Sequence, residues 1–332
     1  MDIKRPYLLF LGDAPDELAA KVARGIVDWR PENAVGQFRM EGCNADMGIS
    51  DMSLDQGVDA GAKTLVIGVA NRGGIISDAW VEVLMEALDK GYDIAAGLHN
   101  KLNDIEVLKA KADALGRSLF DVRHPTHTPP IANGEKRTGK RLLAVGTDCS
   151  CGKMYSTLAI DKEMRAQGMN STFRATGQTG ILITGSGISI DAVVSDFLAG
   201  SVEELAPAND PDHWDIIEGQ GSVYHASYAG VTAGLIHGSQ ADALVLCHEP
   251  TRTHMRGLPG YSLPTIEDTM DTVLRFATRT NPDAKFVGLC INTFHMEEAD
   301  ADAYLKELED KFGLPAVDPV RTGVGRIVGT LG

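Results

Sequence analysis

The sequence predicts an α/β protein with two successive domains, each built on a parallel sheet covered by helices. Three observations support this prediction. Short β-rich apolar runs alternate with helical patterns along the chain, which is typical of parallel sheets with helices on both faces. The 332 residues exceed the length at which one hydrophobic core usually stops growing. A proline-rich stretch near residue 130 interrupts the alternation.

The first domain, residues 1–123, is predicted to be Rossmann-like. Its predicted strands are 7–11, 35–40, 64–69, 93–98 and 119–122, and its predicted helices are 16–29, 79–90 and 104–115. No G-x-G-x-x-G motif follows a strand, so dinucleotide binding has no support in this domain. Polar loops after the strands, including the loop that contains Arg72, are expected to contribute part of a substrate site.

A linker is predicted over residues 124–138, where three prolines occur without an apolar period and favour a stiff, extended chain. Residues 139–332 then form the second domain, a doubly wound parallel sheet like that of P-loop NTPases. Its predicted strands are 141–145, 171–174, 214–217, 243–247 and 285–292, and its predicted helices are 152–167, 224–235, 265–278 and 299–312.

The segment Gly146-Thr147-Asp148-Cys149-Ser150-Cys151-Gly152-Lys153 joins the first strand of this domain to its first helix. In such a loop, backbone N–H groups, a helix N-terminus and a lysine ammonium together hold phosphate groups. A plain strand-to-helix turn is the alternative. The residues predicted to bind a phosphorylated cofactor are Gly146, Thr147, Asp148, Cys149, Ser150, Cys151, Gly152, Lys153, Met154 and Asn292, the last at a strand end suited to an adenine ring.

This loop departs from the usual G-x-x-x-x-G-K-[ST] pattern in two ways. Its first glycine lies one residue further from the second, and Met154 follows the lysine. A thioether is a poor ligand for Mg²⁺, which prefers oxygen. Ser156 or Thr157 can substitute only from the next helical turn, so the loop is expected to hold a cofactor without magnesium-dependent hydrolysis. Cys149 and Cys151 are expected to be small lining side chains, and no metal site is predicted.

Other candidate residues follow the strands of the second domain. Glu218, beside two glycines, is the first choice for a general base or a carboxylate that orients the cofactor, with a helix-start role as the alternative. Arg174, Gln178 and Thr179 belong to a polar segment suited to a ligand. Asp191 is a second acidic candidate or a helix-start residue. Arg252 and Arg256 are predicted to bind a carboxylate or to lie in a solvated loop.

A formal net charge of −15 repels nucleic acids and anionic membranes, so small molecules are the expected partners. The five cysteines are odd in number and scattered, as expected for reduced thiols. No apolar segment is long enough to cross a bilayer, and the first strand follows the start too closely for a signal peptide. We therefore expect a cytoplasmic protein, and we also expect a homo-oligomer.

The segments Gly146 to Lys153 and Glu218 to Gly221 resemble those of dethiobiotin synthetase. With the segment Arg174 to Gly180, the segment Asp191 to Gly200 and the first domain, the whole chain resembles a two-domain P-loop family catalogued as a domain of unknown function. Some of its members, of the DgcN type, are D-glutamate N-acetyltransferases that use acetyl-CoA and work beside an epimerase of the enolase superfamily.

The resemblance implies transfer of the acetyl group of acetyl-CoA to the amino group of D-glutamate. It implies catalytic roles for Glu218, Lys153 and Asp191. It also implies that the substrate is bound by Arg174, Gln178, Thr179, Arg72 and Arg252, with the arginines as cations for its two carboxylates. An ATP- and Mg²⁺-dependent ligase or kinase of the dethiobiotin synthetase type is the alternative enzyme. A non-catalytic nucleotide-sensing module is a third possibility.

Overall fold

Alternating strands and helices form two compact units in the computed structural model, which describes residues 3–17, 19–69, 75–125 and 127–332. One unit contains Met1–Thr126 and Gly177–Ala192, and the other contains His127–Thr176 and Val193–Gly332. Both units are α/β, as the alternation predicted. None of the helices in the described ranges combines the length and the apolar character needed to cross a membrane.

The first unit is built on a five-stranded parallel sheet. Its strands are β1 (Tyr7–Gly12), β2 (Ala34–Arg39), β3 (Thr64–Ile67), β4 (Asp93–Ala96) and β5 (Leu119–Asp121). Their order across the sheet is β2-β1-β3-β4-β5. Every residue of β1 and β4 is buried, as expected for strands with helices on both faces.

Four helices connect these strands: α1 (Lys21–Trp29), α2 (Leu54–Asp59), α3 (Asp78–Asp89) and α4 (Glu106–Leu115). Helix α1 begins five residues after the predicted start at Asp16, because the Asp16 carboxylate accepts the N–H of Ala19 and forms a separate turn. The predicted set omitted the short α2, whose N-cap residue Ser53 forms a reciprocal capping box with Gln56.

The second unit is built on a six-stranded parallel sheet and a hairpin. The strands of the chain's second half are β6 (Lys140–Gly146), β7 (Ser171–Arg174), β8 (Trp214–Ile217), β9 (Ala243–His248), β10 (His254–Met255), β11 (Leu258–Ser262), β12 (Lys285–Ile291) and β13 (Ala316–Val317). The sheet order is β13-β12-β9-β6-β8-β7, and β10 and β11 form the antiparallel hairpin. The loop after β6 therefore lies between those after β8 and β9, where such sheets bind ligands.

The helices of the second half are α5 (Lys153–Ala166), α6 (Gln178–Thr184), α7 (Leu198–Leu205), α8 (Ala229–Ser239), α9 (Ile266–Ala277), α10 (Glu298–Phe312) and α11 (Gly325–Val328). Helix α8 begins five residues after its predicted start at Tyr224. The predicted set lacked α6, α7, α11, β13 and the hairpin.

Helix α6 departs from the predicted division of the chain, which placed residues 139–332 in one domain. Residues Gly177–Ala192 belong to the first unit instead. The side chains from Ile181 to Ile183 are almost completely buried there. The segment is fixed by hydrogen bonds from Ile3 N to Gly185 O (3.1 Å) and from Asn33 Nδ2 to Ile183 O (3.2 Å). Burial of this apolar run therefore determines which unit the segment joins.

Candidate active site

The loop between β6 and α5 has the tight backbone that its glycines predicted. Ser150 has φ +52° and Gly152 has φ +106°, and only glycine adopts the second value without strain. At Gly146, a methyl group would lie 2.6 Å from Cys151 Sγ, so this position also requires glycine. The loop ends at Lys153, the first residue of the 14-residue α5.

Five consecutive backbone N–H groups, from Ser150 to Met154, donate to no acceptor within the described parts of the chain. Four of them, from Ser150 to Lys153, lie at or before the start of α5, where the helix dipole adds positive potential. Backbone turns that contain left-handed residues, as this one does at Ser150 and Gly152, can form anion-binding concavities. The loop thus offers a row of amide donors to a phosphate group.

Lys153 lies inside the loop rather than on the protein surface. Its Nζ donates to Asp148 O over 2.7 Å and lies 3.5 Å from Cys151 Sγ. The residue is only 6% exposed, so its ammonium group is held in place beside the amide donors. The loop therefore carries one fixed positive charge.

Asp148 is a buried carboxylate that ties the loop to the segment after β9. Its Oδ2 accepts from Arg252 Nη1 (2.7 Å) and from Arg256 N (2.8 Å), and its Oδ1 accepts from Cys149 N (2.7 Å). Arg252 also donates to the carbonyl oxygens of Cys149 (2.6 Å) and Ser150 (3.3 Å) and contacts Glu249. Burial is the largest single effect and lowers the pKa of Arg252, but the hydrogen bond to Asp148 and the negative charges of Glu249 and Asp148 together outweigh it and raise that pKa.

His248, the last residue of β9, supports the start of the loop. Its Nδ1 lies 2.9 Å from Thr147 Oγ1. Burial, with a smaller effect from the charge of Arg252, lowers the pKa of His248 to about 4. The imidazole is therefore neutral at physiological pH.

Glu218 follows β8 and is 4% exposed. Its Oε2 accepts the N–H of Thr176 over 2.8 Å, and its carbonyl oxygen accepts Thr176 Oγ1 over 2.8 Å. The next residue, Gly219, approaches β6 so closely that a methyl group there would lie 1.8 Å from Ala144 O. The same methyl group would lie 2.9 Å from Lys153 Cδ. Glu218 thus lies in the strand-end region that contains the loop.

Arg174 and Asn292 also lie at strand ends of the second unit. Arg174 Nε donates to the buried carboxylate of Asp215 over 2.7 Å. Asn292 lies beside the loop: its Cβ is 4.0 Å from a methyl group placed on Gly152. The structure therefore brings together the loop, Asn292, Arg252 and Glu218, while Arg174 is held by an ion pair.

The remaining predicted residues are in the part of the chain that forms the first unit. Gln178, Thr179 and Asp191 belong to the first unit. Gln178 Oε1 is buried without a partner among the described residues. Both oxygens of Asp191 are engaged, one by Arg123 Nη2 (2.6 Å) and the other by Ser189 Oγ (2.8 Å). Arg72 lies outside the described residues.

The hydroxyl groups next to the loop are used within α5. Ser156 Oγ donates to Gly152 O (2.9 Å), and Thr157 Oγ1 donates to Lys153 O (2.9 Å). Both residues are nearly inaccessible to solvent. Met154 stands at the usual hydroxyl position, and the two nearest hydroxyl groups of α5 are thus engaged by backbone carbonyl oxygens.

All five cysteines are free thiols. Burial raises the pKa of Cys149 and of Cys151. Asp148, Cys149 and His225 place potential ligand atoms within 4.8 Å of one another. However, His225 Nε2 donates to Arg256 O (3.1 Å) and its Nδ1 accepts from Ser227 N (3.2 Å). A metal ion would have to displace these bonds as well as the ion pair of Asp148.

Three residues near the loop were absent from the predicted site: His225, His248 and Glu249. His225 is buried and lies between Arg256 O and Asp148, with its ring stacked on Tyr228 at 4.7 Å. His248 and Glu249 follow the apolar run of β9 directly, and that position was the available signal in the sequence.

Comparison with known proteins identifies relatives over the full length of the chain. Two family models match: a domain of unknown function described as the DUF1611_N Rossmann-like domain over residues 38–125, and one described as the DUF1611_C P-loop domain over residues 130–328. A curated D-glutamate N-acetyltransferase from Tritonibacter scottomollicae is 63% identical, with 99% of each chain covered. Another of that name, from a Pseudoalteromonas species, is 47% identical, with 100% of each chain covered.

A solved structure extends the similarity to the fold. The crystal structure of a DUF1611 family protein from Anabaena variabilis matches with a TM-score of 0.84 and 29% identity, covering 99% of each chain. The predicted combination of a Rossmann-like and a P-loop domain is thereby confirmed. The chain therefore belongs to the DUF1611 family.

Proposed function

We propose that this chain is a D-glutamate N-acetyltransferase, which transfers the acetyl group of acetyl-CoA to the amino group of D-glutamate and yields N-acetyl-D-glutamate. The observation that carries the proposal is the 63% and 47% identity, over essentially the whole chain, to two curated proteins of that name. Identity at this level extends through both units, so it includes every segment that contributes to the candidate site.

The residues of the loop suit the phosphate groups of coenzyme A. The unpaired N–H groups from Ser150 to Met154 and the fixed ammonium of Lys153 provide donors and charge for a diphosphate. Acetyl transfer does not cleave a phosphate bond, so no hydroxyl ligand for Mg²⁺ is needed at Met154. Nothing among the described residues favours the ATP-dependent alternative.

Acetyl transfer requires the substrate amine to lose a proton and the thioester carbonyl to be stabilised as negative charge develops on its oxygen. We assign the base role to Glu218 or Asp191, the two acidic residues singled out by the sequence. Gln178, which has a buried amide oxygen without a partner, and Thr179 are proposed to contact D-glutamate.

The two carboxylates of D-glutamate need cations, and the predicted ones differ in availability. Arg174 is paired with Asp215 and Arg252 with Asp148, so each would have to share its guanidinium with the substrate. Arg72 stays a prediction. We further propose that the enzyme acts in the cytoplasm, where free thiols persist, and that it is a homo-oligomer, which light scattering tests directly.

The decisive experiment mixes the purified protein with acetyl-CoA and D-glutamate and follows release of the coenzyme A thiol. We expect substrate-dependent thiol release and an N-acetyl-D-glutamate product in mass spectrometry. L-Glutamate serves as the stereochemical control. Thiol release no faster than without amino acid would reject the proposal. A parallel reaction with ATP and Mg²⁺ tests the alternative through ADP formation.

A further inference from the structure

Arg252 and Arg256 lie four residues apart after β9, but their guanidinium groups have different surroundings. That of Arg252 contacts the carboxylates of Asp148 and Glu249 and two carbonyl oxygens of the loop. That of Arg256 makes no hydrogen bond or ion pair with any residue in the described ranges, and the residue is exposed. The Arg252 side chain therefore links two segments of the protein, whereas the Arg256 side chain is available to bind a ligand.

The backbone of Arg256 is fixed on both sides by buried groups. Its N–H donates to Asp148 Oδ2 over 2.8 Å, and its carbonyl oxygen accepts His225 Nε2 over 3.1 Å. Asp148 and His225 are each 1% exposed. The ring of His225 is itself held by Ser227 N and by stacking on Tyr228. The Cα of Arg256 therefore has a defined position relative to the phosphate-binding loop.

The charge of Arg256 acts on that loop. Burial raises the pKa of Cys149, and the positive charges of Lys153 and Arg256 act in the opposite direction. Arg256 is thus close enough to affect a group in the middle of the loop. The protein as a whole has a net charge of −15 and repels anions. An unpaired guanidinium beside the loop provides a local positive potential that attracts them there.

We propose that Arg256 binds the diphosphate of the coenzyme that the loop holds, as the second cation beside Lys153. The proposal deepens the proposed function at the same site. A guanidinium binds phosphate oxygens bidentately, and Arg256 exchanges only water for the ligand. Arg252 would first have to give up a buried ion pair with Asp148. The sequence suggested carboxylate binding for both arginines. In the structure Arg252 links two segments, and Arg256 is the one proposed to bind the ligand.

The test compares wild type, Arg256→Gln, Arg256→Lys and a control, Arg275→Gln, by calorimetric titration with coenzyme A, 3′-dephospho-coenzyme A and inorganic pyrophosphate. Arg275 is an exposed arginine on α9. We expect Arg256→Gln to weaken binding of all three ligands by about 10- to 100-fold, in line with loss of a charge-assisted hydrogen bond. Arg256→Lys should recover part of the loss because it restores the charge. Arg275→Gln should bind like wild type.

Unchanged affinities in Arg256→Gln would overturn the proposal. A loss seen with coenzyme A but absent with 3′-dephospho-coenzyme A would also overturn it, since the contact would then be to the 3′-phosphate. Far-UV circular dichroism and the unfolding midpoint check that the variants fold. Pyrophosphate binding does not depend on acetyl transfer. An Arg256-dependent loss with pyrophosphate in a protein that releases no thiol would therefore sustain this inference and reject the proposed function alone.

Discussion

Asp148 Oδ2 and Arg252 Nη1 lie 2.7 Å apart, and the carboxylate is 1% exposed. This ion pair joins the loop between β6 and α5 to the segment after β9. Asp148→Asn should lower the free energy of unfolding by about 1.5–3 kcal/mol, because it removes one of the two carboxylates that pair with the largely buried guanidinium of Arg252. Denaturant titration measures the loss.

The matched control for that substitution is Asp310→Asn, which removes an exposed helical ion pair with Lys306. Its expected effect is below about 0.5 kcal/mol. Equal effects at the two sites would contradict the structural role assigned to Asp148.

Lys153→Ala is expected to raise the Kd for coenzyme A by about 10- to 150-fold, the equivalent of a charged hydrogen bond. The physical reason is that the loop would lose the ammonium charge that Lys153 holds inside it. Lys162→Ala, on the exposed face of the same helix, should leave the Kd unchanged. Calorimetric titration measures both variants, and an unaltered Kd in Lys153→Ala removes the residue from the phosphate site.

Glu218→Gln should reduce kcat by about 10²–10⁴-fold if the carboxylate is the base, while the Kd for coenzyme A stays near that of wild type. The glutamine oxygen can still accept the N–H of Thr176, so the strand end should keep its conformation. Steady-state kinetics and titration separate the two effects. Full turnover in Glu218→Gln would leave Asp191 as the proposed base, to be tested as Asp191→Asn.

Gly219→Ala should destabilise the fold by about 1–3 kcal/mol, because the new methyl group would lie 1.8 Å from Ala144 O. Gly230→Ala, in helix α8, meets no atom within 4 Å and should stabilise the fold by about 0.5–1 kcal/mol. Thermal unfolding of the two variants compares the stability effect of the same added methyl group in a crowded position and in an open one. A stable Gly219→Ala protein would show that β6 and the chain after β8 do not approach so closely.

His248 predicts a loss of stability in mild acid. Its pKa is about 4 in the folded protein, against an ordinary value of about 6.5. The unfolded chain therefore takes up a proton first as the pH falls. The contribution of the neutral His248 imidazole to the free energy of unfolding is complete above pH 6.5. It is lost between about pH 6.5 and pH 4, at no more than about 1.4 kcal/mol per pH unit.

The measurement for this prediction is the free energy of unfolding at pH 7.5 and pH 5 in wild type, His248→Gln and the exposed-site control His254→Gln. The loss on acidification should be smaller in His248→Gln than in the other two. The same loss in all three proteins would assign the acid sensitivity to other groups.

Apart from β13, the strands of both sheets were predictable, because most of them are short, mainly apolar runs bounded by polar or glycine residues. Tyr7–Gly12 and Ala243–His248 are examples that lie within one residue of their predicted ends. Helix α6 was missed because its core, Ile181 to Ile183, is rich in β-branched residues and short, so local propensity does not favour a helix. Packing against α1 overrides that preference.

The tight turn between β6 and α5 was predictable from its own residues, since its conformation depends on local glycines and the following helix. The pairing of Arg252 with Asp148 was not, because it joins residues 104 positions apart through the order of strands in the sheet. The same holds for His225, whose contacts with Arg256 arise only after folding.

Because Gly177–Ala192 completes the first unit, a single cut through the chain cannot yield two intact pieces. A fragment ending near residue 126 would lack α6, and a fragment beginning near residue 127 would carry Ile181 to Ile183 with nothing to cover them. Separate expression of either half is therefore expected to give aggregation-prone material. Exchanging halves between relatives should succeed only when residues 177–192 travel with the N-terminal part.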